Sequence, residues 1–452
     1  MKNLREMKSI FRFIRFKNVK TRIEEYGYSY SLKQYLFVLV IEMLLVILLG
    51  KLNYLTMRGL IVLLCTVVII TPTIIIEQFR YLFEQSLFHL ITEYMEQMLY
   101  AFSKHPKIIS SLEEVYEASE GVLQEEVGSM IDALFSEEEL SYEKVFRSFE
   151  AKYPCERMRV MHDFLIRVEQ VGGEYHAPLF VLIEDLKLYK ERVYLFQKER
   201  RSMRKKINLS MFSVLLLCTV LFRVLTQNDA MRTPLDGTGY QMASTLLFLC
   251  FFLLYVFAQV KLRGSWFGKA KEMKFEKMAK DWAHVREDPL QFPRAKARLE
   301  REANKKFPGW LRMMTLRLSS DNVYRALMES EKDAPEIMKQ DMRHLLEDIN
   351  EDPVSMKPYN RFLKELSVPE IQSTMKMIYA YTNSGTKDAQ FQLNAIMQRN
   401  MVLSDKAERM ENEDELAAYQ FLFYAPMFLG TAKIMMDMSV LFVVMFQLWG
   451  NL

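Results

Sequence analysis

The chain is poor in the residues that build reactive or ligand-binding chemistry. Four cysteines occur in 452 residues: Cys65, Cys218 and Cys250 inside apolar runs, and Cys155 in a charged region. No two have disulfide or metal-ligand spacing, which fits a reduced compartment. A glycine-rich phosphate loop ending in Lys-Ser or Lys-Thr is missing, so nucleotide hydrolysis would have to come from another protein. HExxH and related metal patterns are absent, and no serine sits in a nucleophile elbow. Six histidines (His89, His105, His162, His176, His284, His344) are scattered. A formal charge of +3 is too small to argue for nucleic acid. No strand pattern competes with helix, and no cofactor or metal site is expected.

Long apolar runs do occur, set in a charged chain. They cover Tyr35 to Gly50, Gly59 to Ile76, Leu209 to Thr226, Met242 to Val260 and roughly Phe421 to Trp449. A helix of roughly 20 apolar residues crosses a bilayer core. Several runs are at the short end, so their helices are expected to extend beyond these limits or to be flanked by snorkelling side chains. Basic residues cluster before the first run (Lys2 to Lys33), before the third (Lys198 to Lys206) and after the fourth (Lys261 to Lys274), whereas the loops joining the paired runs hold few. The excess of Lys and Arg places the N-terminus and the charged stretches in the cytoplasm. Five spans satisfy this without conflict. The basic clusters then read as contacts with the anionic membrane surface. Residues 1–33 show no cleavable signal peptide; Ile10, Phe11, Phe13, Ile14, Phe16 and Val19 interleave with basic residues, as in a surface-lying amphipathic helix or an ordinary basic flank.

The expected fold is all-α: an integral membrane protein with about five transmembrane helices and two duplicated cytoplasmic helical bundles. The divisions fall at 1–33 (basic segment), 34–78 (first transmembrane hairpin), 79–206 (first bundle), 207–262 (second hairpin), 263–307 (charged linker), 308–418 (second bundle) and 419–452 (last span). In the first bundle a capping-box pattern, Ser110 with Glu113, predicts a helix start. Gly172-Gly173 predicts a helix stop. A long helix from about Tyr175 leads into the third span. Ser110-Ser111 followed by Val115-Tyr116-Glu117-Ala118 recurs as Ser319-Ser320 followed by Val323-Tyr324-Arg325-Ala326, and Gly173 has its counterpart at Ser384-Gly385. Register held between these landmarks marks an internal duplication. The linker, broken at Pro289 and Pro293, would let the halves shift.

The strings LYAFSKHPKIISSLEEVYEASEGVL (Leu99 to Leu123) and HDFLIRVEQVGGEYHAPLFVLIEDL (His162 to Leu186) resemble the type II secretion system F family. More narrowly, they are similar to the inner-membrane platform proteins of tight-adherence (Flp-type) pili. Residues 90–260 follow that family's order of helices, acidic turn, helix, Gly-Gly, long helix and membrane. Residues 310–450 follow it more loosely, with Ser-Gly in place of the glycine pair. Tight-adherence platform proteins usually carry one such domain, and this chain carries two. The resemblance implies a non-enzymatic platform of a type II secretion or type IV pilus machine in a prokaryotic inner membrane. Its implied partners are a cytoplasmic hexameric secretion ATPase, pilin or pseudopilin subunits, a sister platform protein or second copy, and membrane lipids, with no nucleic acid.

Two sets of residues stand out as candidate sites. Glu113, Glu114, Glu117 and Glu120 form an acidic cluster, with Glu113, Glu117 and Glu120 placed at i, i+4 and i+7 on one helix face. That face is either a docking surface for a basic patch on the ATPase or a plain solvated surface. Glu42, Lys433 and Asp437 lie within apolar runs, where an unpaired charge costs on the order of 2.5–3.5 kcal/mol. Lys433 and Asp437 can pair within one helix, or Glu42 can reach Lys433 and staple the first span to the last. This set either holds the spans together or receives a charge carried by a membrane-embedded pilin. His162 beside Asp163, and His176 near Glu174, could be proton-relay groups or locally satisfied bundle residues. A transporter or channel subunit with duplicated halves is the competing reading, favoured by the repeats and the intramembrane charges.

Overall fold

Residues 32–52 are apolar almost throughout, and their backbone groups can be satisfied in hydrocarbon only by helical hydrogen bonds. They form α2 (Leu32–Leu52), opened by a capping box in which Ser31 and Gln34 bond reciprocally. In this computed structural model the described residues are 16–136, 141–172, 175–227, 232–267, 273–288, 290–318, 321–383 and 386–450. Every regular element among them is a helix. The protein is all-α, and among the described residues five helices are long and apolar enough to cross a membrane. The short first and fourth apolar runs extend as anticipated: α2 has 21 residues and α10 (Thr238–Arg263) has 26. At 1.5 Å per residue, 21 residues span about 31 Å, the thickness of a bilayer core.

The helices divide into two units. The first comprises residues 1–87, 194–268 and 415–452. It contains α1 (Phe16–Glu25), α2, the first part of α3 (Met57–Lys104), the last part of α8 (His176–Leu225), α9 (Arg232–Leu235), α10, and the last part of α17 (Thr386–Gly450). Val19 and Ile23 of α1 are buried against Tyr35, Ile75 and Ile76, while Lys17 and Lys20 on the same helix flank the other side. From Phe16 onward the segment is helical, with its apolar residues packed on α2 and α3; its earlier apolar residues, Ile10 to Ile14, lie outside the described residues. Ile207, Met211, Phe251, Ala258, Leu262 and Leu422 pack α8, α10 and α17 together. Small residues permit this closeness. A Cβ at Gly430 of α17 would stand 2.2 Å from Val214 Cγ1, and one at Gly59 of α3 would stand 2.4 Å from Thr245 Oγ1 of α10.

The second unit comprises residues 88–193 and 269–414 and holds both charged stretches. Its first repeat runs through the end of α3, α4 (Ile108–Ala118), α5 (Gly121–Leu134), α6 (Tyr142–Lys152), α7 (Glu156–Val171) and the start of α8. After α11 (Phe275–Glu287), the second runs through α12 (Pro293–Leu318), α13 (Val323–Ser330), α14 (Glu336–Glu351), α15 (Lys357–Arg361), α16 (Pro369–Thr382) and the start of α17. The starts of α4, α5 and α6, at 108, 121 and 142, recur 215 residues later at 323, 336 and 357. The order of six helices is thus used twice. The landmark pairs Ser319-Ser320 and Ser384-Gly385 lie outside the described residues, as does Gly173. Gly172 ends α7 at φ +71°, a conformation suited to glycine.

One predicted helix start moves. Helix α4 begins at Ile108 with Lys107 at its N-cap, so Ser110 and Glu113 are inside the helix and form no capping box. The first free N–H, that of Ile108, instead donates to Glu169 Oε2 of α7 at 2.7 Å. A tertiary carboxylate supplies the cap that local sequence was expected to supply.

Candidate functional site

Lysine and aspartate four residues apart on a helix face the same way. On α17, Lys433 and Asp437 do so from a buried stripe, with side chains 1% and 4% exposed. Lys433 Nζ donates to Asp437 Oδ1 at 2.5 Å and to the Tyr240 oxygen at 3.1 Å, and the Tyr240 hydroxyl donates to Asp437 Oδ1 at 2.8 Å. Tyr240 comes from the first turn of α10. The ammonium also lies 4.8 Å from the ring centre of Phe222, in the last turn of α8, and 5.3 Å from that of Tyr240. Phe222, Leu235 and Tyr240, with Tyr54, Met436 and Val440 against them, surround the pair with apolar surface. Two opposite charges are thereby desolvated together, each with a hydrogen bond and the cation with aromatic faces, which is how a buried pair offsets its desolvation.

The surrounding connectors are also tied together. Asn53 Nδ2 donates to Thr219 Oγ1 at 3.2 Å. Gln241 Nε2 donates to the carbonyls of Tyr54 and Leu235, while its Oε1 accepts from Thr56 N at 2.9 Å. Arg223 donates to the Tyr54 hydroxyl at 3.1 Å and to Lys51 O at 3.3 Å. These bonds fix the α2–α3 turn against the end of α8 and the start of α10, beside the ion pair.

Glu42 does not belong to this set, which corrects the sequence grouping. Its Oε2 accepts from Thr71 Oγ1 of α3 at 2.5 Å. The physical reason is depth. Lys433 stands at the level of Phe222, whose ring is 5.9 Å from that of Tyr54 just past the end of α2. Glu42 lies about 16 Å further back along α2, counting from Asn53. The staple between first and last spans is not formed; of the two pairings open in the sequence, the one within α17 is present.

The acidic cluster is also only partly assembled. Glu113 and Glu117 are exposed on α4. Glu114 pairs with Lys104. Glu120 is off that face: α4 ends at Ala118, Ser119 is its C-cap, and Glu120 is the N-cap of α5. The break coincides with a tertiary bond and a glycine turn. Ser119 is buried, with its hydroxyl donating to Gln97 Oε1 at 2.8 Å, and Gly121 turns at φ +61°. A face drawn at i, i+4 and i+7 needs a continuous helix, and the chain is extended at the third point.

His162 is fully buried and locally satisfied. Its Nε2 meets the Tyr94 hydroxyl at 2.9 Å, its Nδ1 meets Glu150 Oε1 at 2.8 Å, and its ring stacks on Phe146 at 3.9 Å. A carboxylate only accepts, so Nδ1 carries the proton and Nε2 accepts from Tyr94. Burial pushes the imidazole pKa down, against the pull of Glu150. Asp163 faces another way, toward Arg147 at 2.8 Å. This is the bundle-residue alternative, not a relay with Asp163. His176 stacks on Tyr175 at 4.3 Å, while Glu174 lies outside the described residues.

An ionic cluster between the two repeats was not anticipated. Arg157, Asp185 and Arg192 come from the first repeat; Arg312, Asp405 and Glu408 come from the second. Arg157 bonds Asp185 and Glu408, Arg192 bonds Glu408 and reaches Asp405 at 3.5 Å, and Arg312 lies 3.4 Å from Asp185. Burial raises the Asp185 carboxyl, but the guanidiniums of Arg157, Arg312 and Arg192 outweigh it and hold the pKa below the usual carboxylate range. Two cavities beside the cluster share Leu182, Asp185 and Arg312, and each has room for little more than a water molecule. Sequence offered one signal, charged residues on otherwise buried helix faces. The partners themselves lie too far apart in the chain to be paired by spacing.

Comparison with protein-family models, with curated proteins and with solved structures finds no match for this chain.

Proposed function

We propose that the chain is a non-catalytic inner-membrane platform of a type II secretion or type IV pilus (tight-adherence-like) assembly machine. In this reading a cytoplasmic hexameric ATPase docks on the helical unit, and pilin or pseudopilin subunits meet the membrane helices. The observation that carries it is the twice-used order of six helices, each copy ending in a helix (α8, α17) that continues into a membrane-length apolar stretch. This arrangement suits a protein that gathers partners on both sides of the membrane surface. Lys and Arg placement supports a cytoplasmic N-terminus and cytoplasmic bundles. The exposed Glu113 and Glu117, with Glu114 beside them, remain the acidic surface suited to a basic partner. A sister platform protein or a second copy would complete the assembly.

The test is crosslinking of intact membranes, affinity purification of the tagged chain and mass spectrometry. Recovery of a hexameric secretion-type ATPase and a small single-span pilin, with crosslinks near Glu113 and Glu117, is the expected result. If neither is recovered while other membrane complexes are captured, and liposomes holding the chain show substrate-dependent flux, the transporter reading replaces it.

A further inference from the structure

Where α8 and α10 enter their apolar stretches, they run antiparallel. Gln259 Nε2 donates to Asn208 Oδ1 at 2.7 Å, while Phe222 near the end of α8 packs with Tyr240 near the start of α10. One turn before Asn208 is Arg204, and one turn after Gln259 is Arg263. The antiparallel register therefore sets Arg204 and Arg263 at one level of the α8–α10 seam.

Neighbouring cations are neutralised. Arg200 is bonded to Glu415. Arg80 lies 2.7 Å from Glu77 and 3.6 Å from Glu84. Arg263 is nine-tenths buried and has a carbonyl, Ile74 O, at 2.6 Å, but no carboxylate pairs with it among the described residues. Arg204 is half-buried, and no carboxylate pairs with it among them either. Arg80, Arg204 and Arg263 are matched in number by Glu77, Glu84 and Glu42, the last held by Thr71 one turn along α3 from Ile74, and the positive excess of this region comes from Lys261, Lys205 and Lys206, exposed nearby. Tyr255, 36% exposed, lies within the apolar stretch of α10, about two turns from Arg263. Arg204 precedes the apolar run at Leu209 by five residues, about 7 Å along the helix. That is headgroup depth, just outside the hydrocarbon.

We infer that Arg204 and Arg263 form a site for the phosphate of one anionic phospholipid, whose acyl chains lie along the apolar surface of α8 and α10. A guanidinium offers a planar fork of donors suited to phosphate oxygens, and two positions at one level of the seam supply two of them. The inference rests on the membrane-crossing reading of these helices and holds whichever machine the chain serves.

The experiment is native mass spectrometry of the detergent-solubilised full chain, titrated with phosphatidylglycerol and separately with phosphatidylcholine. The wild type should retain one phosphatidylglycerol in preference to phosphatidylcholine. Arg204→Gln should lower that occupancy about tenfold, the loss expected for a charge-assisted contact. Lys261→Gln should change it little. Arg263→Gln also loses its bond to Ile74, so Arg204→Gln is the deciding variant. Equal retention by Arg204→Gln, equal loss in Lys261→Gln, or equal binding of phosphatidylcholine would overturn the site. Displacement of the lipid by millimolar inorganic phosphate would make it a free-anion site and overturn the lipid assignment.

Discussion

At the scale of the residue, the sequence places Lys433 and Asp437 correctly on one face, because i, i+4 spacing is a local property of helix. Their companions Tyr240 and Phe222 are invisible at that level, being set by how α10 and α8 pack. The same limit explains Glu42, whose charge marks it in the sequence but whose depth does not. Removing one member of the α17 pair should be costly: Lys433→Met or Asp437→Leu leaves a lone buried charge, a loss of about 3–5 kcal/mol. The double variant Lys433→Met/Asp437→Leu should lose less than either single one. Equilibrium unfolding in mixed detergent micelles measures this; losses that add in the double variant would mean the two side chains act separately.

At the scale of the element, helices were legible and their ends less so. Apolar runs gave the spans because nothing but helix satisfies the backbone there. The start of α4 was misplaced because Glu169, sixty-one residues away in the chain, caps it. The break at Ser119 was missed because its cause is a bond to Gln97 on α3. Helix contacts in the membrane unit depend on missing side chains. Gly430→Ala should destabilise the detergent-solubilised protein by about 1–3 kcal/mol, since Val214 is β-branched and cannot swing aside cheaply. Gly239→Ala, where a Cβ meets nothing within 4 Å, should be neutral or slightly stabilising. Thermal unfolding of the two variants compares them; equal midpoints would show that the α8–α17 contact relaxes freely.

At the scale of the whole molecule, pH reports on the helical unit. His162 is held neutral by burial, so below the ordinary histidine value of about 6.5 the unfolded chain takes up a proton that the folded chain resists. Stability should therefore fall as pH drops from 7 to 5. Glu150 adds loss of the same sign further into acid: burial raises its carboxyl, but bonds from His162 and Arg147 hold it low. Asp163, Asp341 and Glu411, raised mainly by burial, act oppositely in that lower range. His162→Gln, able to donate to Glu150 and accept from Tyr94, should flatten the pH 7 to 5 slope of the unfolding midpoint. An unchanged slope would place the sensitivity elsewhere.

The repeats alike in helix order are unlike in charge where they meet. The first contributes Arg157, Asp185 and Arg192, a balance of +1; the second contributes Arg312 and Arg409 against Asp405 and Glu408, a balance of zero. Arg167 of the first likewise meets Asp321 and Glu329 of the second. Plug and socket are thus encoded in one chain: a bundle made from two first repeats would set surplus cation against surplus cation, without the carboxylates that the second repeat supplies. The halves share a blueprint but are not interchangeable, and each selects the other as its mate.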